Sequence, residues 1–166
     1  FAPWSALSLV DESRALVVTR TYSKTWSMAA ARLGYAIGPS WLVDELHKVV
    51  LPYHLDAQKQ IAGTIALDYR AEMEARMAGL VEERGRVAAA LDDLDVDHWP
   101  SGANFILFRP RNRAGADVWQ DLVDRSVLVR NCASWPRLDD CLRVTLGTSD
   151  ENTAFLDRLT ASLEST

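Results

Sequence analysis

Lysine is scarce in this chain of 166 residues, where Lys24, Lys48 and Lys59 stand against fifteen arginines. A chain that draws its positive charge from guanidinium groups uses an amine sparingly, so the place of each amine carries information. Cysteine is scarcer still: Cys132 and Cys141 lie nine positions apart, with no second pair and no histidine cluster to complete a zinc pattern. Free thiols in a cytoplasmic protein with no bound metal are the expectation. No apolar stretch approaches the ~20 residues of a membrane-spanning helix. The net charge of −5, with acids and bases interspersed, argues against a nucleic-acid surface or a polybasic membrane patch. Internal repeats, low-complexity segments and Pro/Gly/Ser-rich linkers are absent from the sequence as well.

What is present is the composition of a globular protein, 48% hydrophobic and 25% charged, and long enough for one domain or parts of two. Ser5 suits the N-cap of a short helix over residues 5–12, and the apolar run 15–19 suits a buried strand. Residues 35–38 form a second strand candidate. Ser40 then caps a helix over 40–50, which Pro52 stops, because a proline disfavours helix at the residue before it. Residues 56–93 carry a long helical pattern in which Met73, Met77, Leu80, Val87, Leu91 and Leu94 share one face, so the methionines read as core. Gly63, Gly79 and Gly85 weaken that helix and suit bends or close packing.

Beyond Asp95 the pattern shortens, with strands expected at 96–99, 104–109, 127–130 and 142–146 and a helix at 115–125. Ser149 is placed as the cap of a closing helix whose Phe155, Leu156, Leu159 and Leu163 face inward. This alternation predicts an α+β layer with its helices on one face of the sheet. Trp26, Trp41, Trp99, Trp119 and Trp135 are assigned to packing or interfaces.

The informative stretch comes directly after the first strand: Arg20-Thr21-Tyr22-Ser23-Lys24, then small residues, then Arg32-Leu33-Gly34-Tyr35. An amine that loses its proton can add to an aldehyde, which a guanidinium cannot do. A desolvated site beside a cation favours the neutral amine, and Arg32 can belong to that cation field. Hydroxyls from Thr21 and Ser23 and the donor fork of Arg32 suit a phosphate. An aldehyde held by lysine with its phosphate nearby describes pyridoxal 5′-phosphate. The bland reading is a surface Ser-Lys turn before an ordinary helix, with Arg32 paired to a surface acid and the hydroxyls bonded to their own turn.

In order and spacing, these strings resemble the lysine segment of fold-type I pyridoxal-phosphate enzymes, above all the histidinol-phosphate aminotransferase branch. The likeness extends to Ser101-Gly-Ala-Asn104-Phe, Val127-Leu-Val-Arg130-Asn and Cys141-Leu-Arg143-Val-Thr-Leu-Gly-Thr148. It implies the C-terminal half of an α/β fold-type I transferase. On that plan residues 1–55 end the large cofactor domain, 56–94 form the connecting helix and 95–166 make a small α+β domain. Phe1-Ala-Pro-Trp4 resembles the stretch immediately after the family segment that supplies a partner to the pyridine nitrogen, so a fragment is expected.

The resemblance further implies that Lys24 binds the cofactor and then acts as general base and acid. It makes Thr21, Ser23 and Arg32 phosphate ligands, Arg143 the holder of an acidic substrate group, and Arg130 a second contact to substrate phosphate. For the arginines the alternative is an exposed face of the sheet, and Asn104 either contacts substrate or only fixes its turn. The expected partners are a small-molecule amino donor and a 2-oxo acid, with the parent a homodimer. The expected reaction is amine exchange between histidinol phosphate and 2-oxoglutarate. Aromatic amino acid transamination, threonine-phosphate decarboxylation on the same frame, and an inactive fragment stand as alternatives.

Overall fold

The computed structural model describes residues 1–165 and divides into two compact units, Ala2–Met77 and Phe1 with Ala78–Thr166. Among the described residues no helix is long and apolar enough to cross a membrane.

The first unit opens with a short 3-10 helix, Ala6–Leu9, whose cap is Ser5: its hydroxyl accepts from the Leu7 N–H at 3.2 Å. Strands β1 (Val18–Thr21) and β2 (Gly34–Ile37) pair antiparallel, with Thr21 opposite Gly34 and Val18 opposite Ile37. The expected strand at 15–19 is therefore displaced toward the lysine, because pairing with β2 rather than apolarity sets its limits. A side chain at position 34 would place its Cβ 2.7 Å from the Arg20 carbonyl oxygen, so the close strand approach requires glycine there.

Helix α1 (Ser40–His47) ends three residues earlier than the expected 50. Its cap position is Pro39, and Ser40 is not the cap. The carboxylate of Glu12 accepts from the Ser40 N–H and hydroxyl instead, at 3.0 and 2.9 Å, a cap supplied from 28 residues away that no local pattern reveals.

The long helical pattern is two helices, α2 (Ala57–Ala66) and α3 (Arg70–Asp92), joined through a 3-10 turn at Leu67–Tyr69. Asp56 caps α2 by accepting from the Lys59 N–H at 2.8 Å. Gly63 is buried, and a Cβ there would sit 2.5 Å from Leu33 Cδ2 and 4.0 Å from Tyr22 Cζ, so this glycine permits close packing. Gly79 and Gly85 meet nothing within 4 Å and have no such role.

The second unit is a four-stranded antiparallel sheet in the order β3-β4-β6-β5, formed by Val96–His98, Phe105–Pro110, Leu142–Thr145 and Arg130–Asn131. Helices α4 (Gly115–Asp124) and α5 (Ser149–Leu163), with the C-terminal part of α3, supply Val118, Leu122, Phe155, Leu159, Val87 and Leu91 to one core. Ile106, Phe108, Leu142 and Val144 fill it from the sheet. The alternation of β4 and β6 leaves Phe105, Leu107 and Arg143 on the other face.

The expected strand at 127–130 shrinks to two residues. Val127 is held back by its N–H bond to the Leu122 carbonyl (2.8 Å), and the Val129 carbonyl is taken by the Trp119 indole at 3.0 Å. The cap of α5 is Thr148 rather than Ser149, in a capping box with Glu151.

Candidate active site

The N-terminal cluster grows from the β1–β2 hairpin. One step beyond the ladder the Tyr22 N–H donates to the Leu33 carbonyl at 3.0 Å, which carries the pairing to the neck of the loop. Thr21, Ser23, Lys24 and Arg32 thus gather at one end of the hairpin. Tyr22 and Leu33 are the buried floor between them, Tyr22 stacking on Trp26 at 5.7 Å and meeting the edge of Tyr35 at 5.8 Å.

Thr21 Oγ1 accepts from the Ser23 N–H at 3.0 Å and pairs with Ser23 Oγ at 2.9 Å, so the two hydroxyls form one polar step. Lys48 and Lys59 each pair with an acid one turn away, at 2.5 and 3.0 Å, whereas Lys24 is exposed and pairs with nothing among the described residues. Arg32 has the left-handed backbone, φ 52°, that a side chain normally avoids. It spends one Nη1 bond on the Ala29 carbonyl at 3.1 Å and has no acid partner among the described residues. Neither cation of this loop has an acid partner among the described residues.

The C-terminal cluster lies on the open face of the second sheet. Arg130 of β5 stands directly opposite Arg143 of β6. Like charges at opposed positions repel, so the pair is destabilising unless an anion lies between the guanidinium groups. The Arg143 guanidinium carbon sits 4.8 Å from the Phe105 ring centroid, and its buried Nε has no hydrogen-bond partner among the described residues. A buried donor without an acceptor costs free energy that a ligand recovers.

Asn104 is placed differently. Its carbonyl accepts from Leu146 N–H at 2.9 Å, and strand alternation puts it on the other phase from Phe105 and Arg143. Its turn is braced by the Ser101 hydroxyl, which donates to the Phe105 carbonyl at 2.6 Å, and by Arg84, which donates to the Ala103 carbonyl at 2.8 Å. Sequence reading did not single out Phe105 as the surface beneath Arg143, although it ends the Ser101–Phe105 string. Nor did it find Glu83, whose carboxylate accepts from Arg86 and Asn152, both at 2.8 Å, and links α3 to α5.

Both clusters fall inside a single family match: the profile of aminotransferase class I and II covers residues 1–159. The chain belongs to that family. The histidinol-phosphate aminotransferase of Ruminiclostridium cellulolyticum is 33% identical over 162 residues, 97% of this chain and 45% of that protein. The histidinol-phosphate aminotransferase of Mycobacterium marinum is 40% identical over 153 residues, 92% of this chain and 39% of that protein. The chain therefore spans less than half the length of these relatives. The solved histidinol-phosphate aminotransferase from Clostridium acetobutylicum superposes with a TM-score of 0.81 over 89% of this chain and 46% of its own, at 23% identity. The fold is that of the corresponding part of a fold-type I aminotransferase.

Membership of the class I and II aminotransferases implies pyridoxal phosphate. The residues present fit that group: the β1–β2 loop carries an exposed amine and a guanidinium that have no acid partner among the described residues, with a linked pair of hydroxyls.

Proposed function

We propose that this chain carries the lysine and the substrate arginines of a pyridoxal-phosphate-dependent aminotransferase that exchanges an amine between histidinol phosphate and 2-oxoglutarate. The observation that carries the reading is Arg130 directly opposite Arg143, whose buried Nε lacks a partner. A doubly charged phosphate ester answers that demand better than a lone carboxylate, since guanidinium groups bind its oxygens in a forked geometry. This favours a phosphate-bearing donor over a plain aromatic amino acid. The names of the relatives support amine transfer over decarboxylation.

On this reading Lys24 Nζ holds the cofactor aldehyde, and Thr21, Ser23 and Arg32 hold its phosphate. When bound, pyridoxal phosphate supplies the electron sink for the chemistry at the substrate α-carbon. Lys24 Nζ would then take the α-carbon proton and return it. Arg143 and Arg130 orient the substrate by its anionic end, and Asn104 borders the site through its turn.

The rest of the site and the second copy of a dimer belong to the same proposal. The exposed apolar side chains of the first unit support it, with Tyr53 fully exposed and Leu51 at 74%. The test incubates the chain with pyridoxal phosphate, reduces with borohydride, and reads intact mass and a peptide map. A pyridoxyl group on Lys24 supports the reading; an unmodified chain leaves an inactive fragment. Amine transfer from histidinol phosphate, against carbon dioxide release from threonine phosphate, separates the two chemistries.

A further inference from the structure

Cys132 and Cys141 take no part in the reading above, yet the sheet brings them face to face. The β5–β6 ladder pairs Arg130 with Arg143 and Asn131 with Leu142. One step beyond the ladder the Cys132 N–H donates to the Cys141 carbonyl at 2.9 Å, which keeps the two residues opposed, while the Cys141 N–H turns to the Leu138 carbonyl at 3.0 Å. Directly opposed, hydrogen-bonded residues of an antiparallel pair have Cα atoms about 5.5 Å apart. A disulfide requires about 4.4–6.8 Å. Opposed residues also share a face, so the thiols stand on the arginine face of the sheet, one row beyond Arg130 and Arg143.

Both thiols are free and buried, and burial pushes the Cys141 thiol up. The cover is thin. Residues 133–137 are all exposed, and Arg137 and Asp140 are in left-handed conformations, φ 65° and 57°. The segment that joins the two cysteines thus runs at the surface. The strand that the thiols adjoin is short: β5 has two ladder residues, and one of them is Arg130. Two ladder residues hold a strand weakly against the repulsion of opposed guanidinium groups.

We infer that Cys132 and Cys141 form a reversible modification site, a dithiol that a small-molecule disulfide converts to a cross-strand disulfide fixing Arg130 opposite Arg143. The chemistry is two exchanges. One cysteine thiolate attacks the reagent disulfide, forming a mixed disulfide and releasing one reagent thiol. The second cysteine thiolate attacks the mixed bond, closes the Cys132–Cys141 bond and releases the other. Two protein thiols are oxidised, one reagent disulfide is reduced to two thiols, and the two protons pass to the reagent. The modification stands on the sheet register alone; its effect on Arg130 rests on the anion-binding role proposed above.

The experiment treats the native chain with oxidised glutathione, blocks free thiols with iodoacetamide under denaturing conditions, and maps tryptic peptides. Cleavage after Arg130, Arg137 and Arg143 puts one cysteine on each of two peptides. Expected is a linked pair, 131–137 with 138–143, that dithiothreitol separates and that Cys132→Ser abolishes. Two alkylated cysteines, or linkage only between chains, overturns the site.

Inorganic phosphate titrated against the oxidised and reduced chains reads the consequence. A several-fold lower Kd in the oxidised form is expected, because Arg130 is then held in place. Equal Kd values in the two forms overturn the coupling. Absence of phosphate binding in both forms would instead remove the anion-binding role of the arginines, with the peptide map still deciding the disulfide.

Discussion

In the second unit Phe108, Leu122, Leu142 and Leu159 are wholly withdrawn from water, inside a core that takes side chains from three helices and three strands. In the first unit the buried apolar side chains among the described residues include Tyr22 and Leu33, each at 8%, and Pro39, while Val49, Leu51, Ile61 and Tyr69 stay exposed. One unit thus holds its candidate arginines on a sheet with a backing of its own. The other holds its lysine on a two-stranded ribbon, an element that is marginal without a partner layer. The contrast teaches that the two candidate clusters rest on different kinds of support. The arginine face is set by local packing, whereas the lysine loop depends on a floor of two side chains and Gly63.

The most drastic way to probe that contrast is Lys24→Arg, which keeps the charge on the ribbon and removes the reactive amine. It should eliminate the borohydride-fixed adduct and lower amine transfer by about a thousand-fold, a typical loss for a proton-transfer group. The unfolding of the second unit should not change. An adduct surviving on another lysine would shift the chemistry away from this loop.

Next in size is a matched pair of truncations. Phe108→Ala empties a fully buried site that also contacts the Phe155 ring at 5.7 Å, and should cost about 3–5 kcal/mol. Ile61→Ala, at 59% exposure, should stay within about 0.5 kcal/mol. Comparable losses in chemical denaturation would mean that the first unit also has a closed core.

Smaller again is a glycine pair. Gly63→Ala would press into Leu33 and should lose about 1 kcal/mol net, the strain outweighing the gain in helix propensity. Gly79→Ala meets open space on α3 and should gain about 1 kcal/mol. Thermal unfolding of the two variants reads both signs.

Much of this was legible in the residues. The Thr21–Lys24 and Arg32–Tyr35 strings, and the Arg130 and Arg143 strings, named the family before any fold was drawn, and the family profile covers them. Part of the inward face of α3 was legible too, because 3.6-residue spacing is a local property: Val87 and Leu91 are buried in the core, and Leu80 and, just beyond the helix, Leu94 pack against it, whereas Met73 and Met77 are only half-buried and belong to the first unit. What escaped the sequence was set by distant partners. Glu12 caps α1 from far along the chain, and the Trp119 indole takes the Val129 carbonyl, leaving β5 two residues long. The unpartnered Nε of Arg143 is likewise a fact of packing, which no spacing rule contains.

The smallest expected effect sharpens the comparison from inside the second unit. Glu83 joins α3 to α5: its carboxylate accepts from Arg86 and from Asn152, whose Oδ1 in turn receives the Gly147 N–H at 3.0 Å. Arg86 first, then Asn152, holds the Glu83 carboxyl at about 2, below its ordinary 4.5. A group whose pKa is depressed on folding contributes stability above its unfolded value and loses it as pH falls through the folded value. The contribution is therefore whole above pH 4.5 and fades toward pH 2. In Glu83→Gln this increment is missing. The difference in thermal midpoint between wild type and variant should be constant from neutrality to about pH 5 and then shrink with acid. A difference independent of pH would show that Glu83 acts by shape alone, and that the second unit owes its cohesion to its apolar core without help from this ionic link.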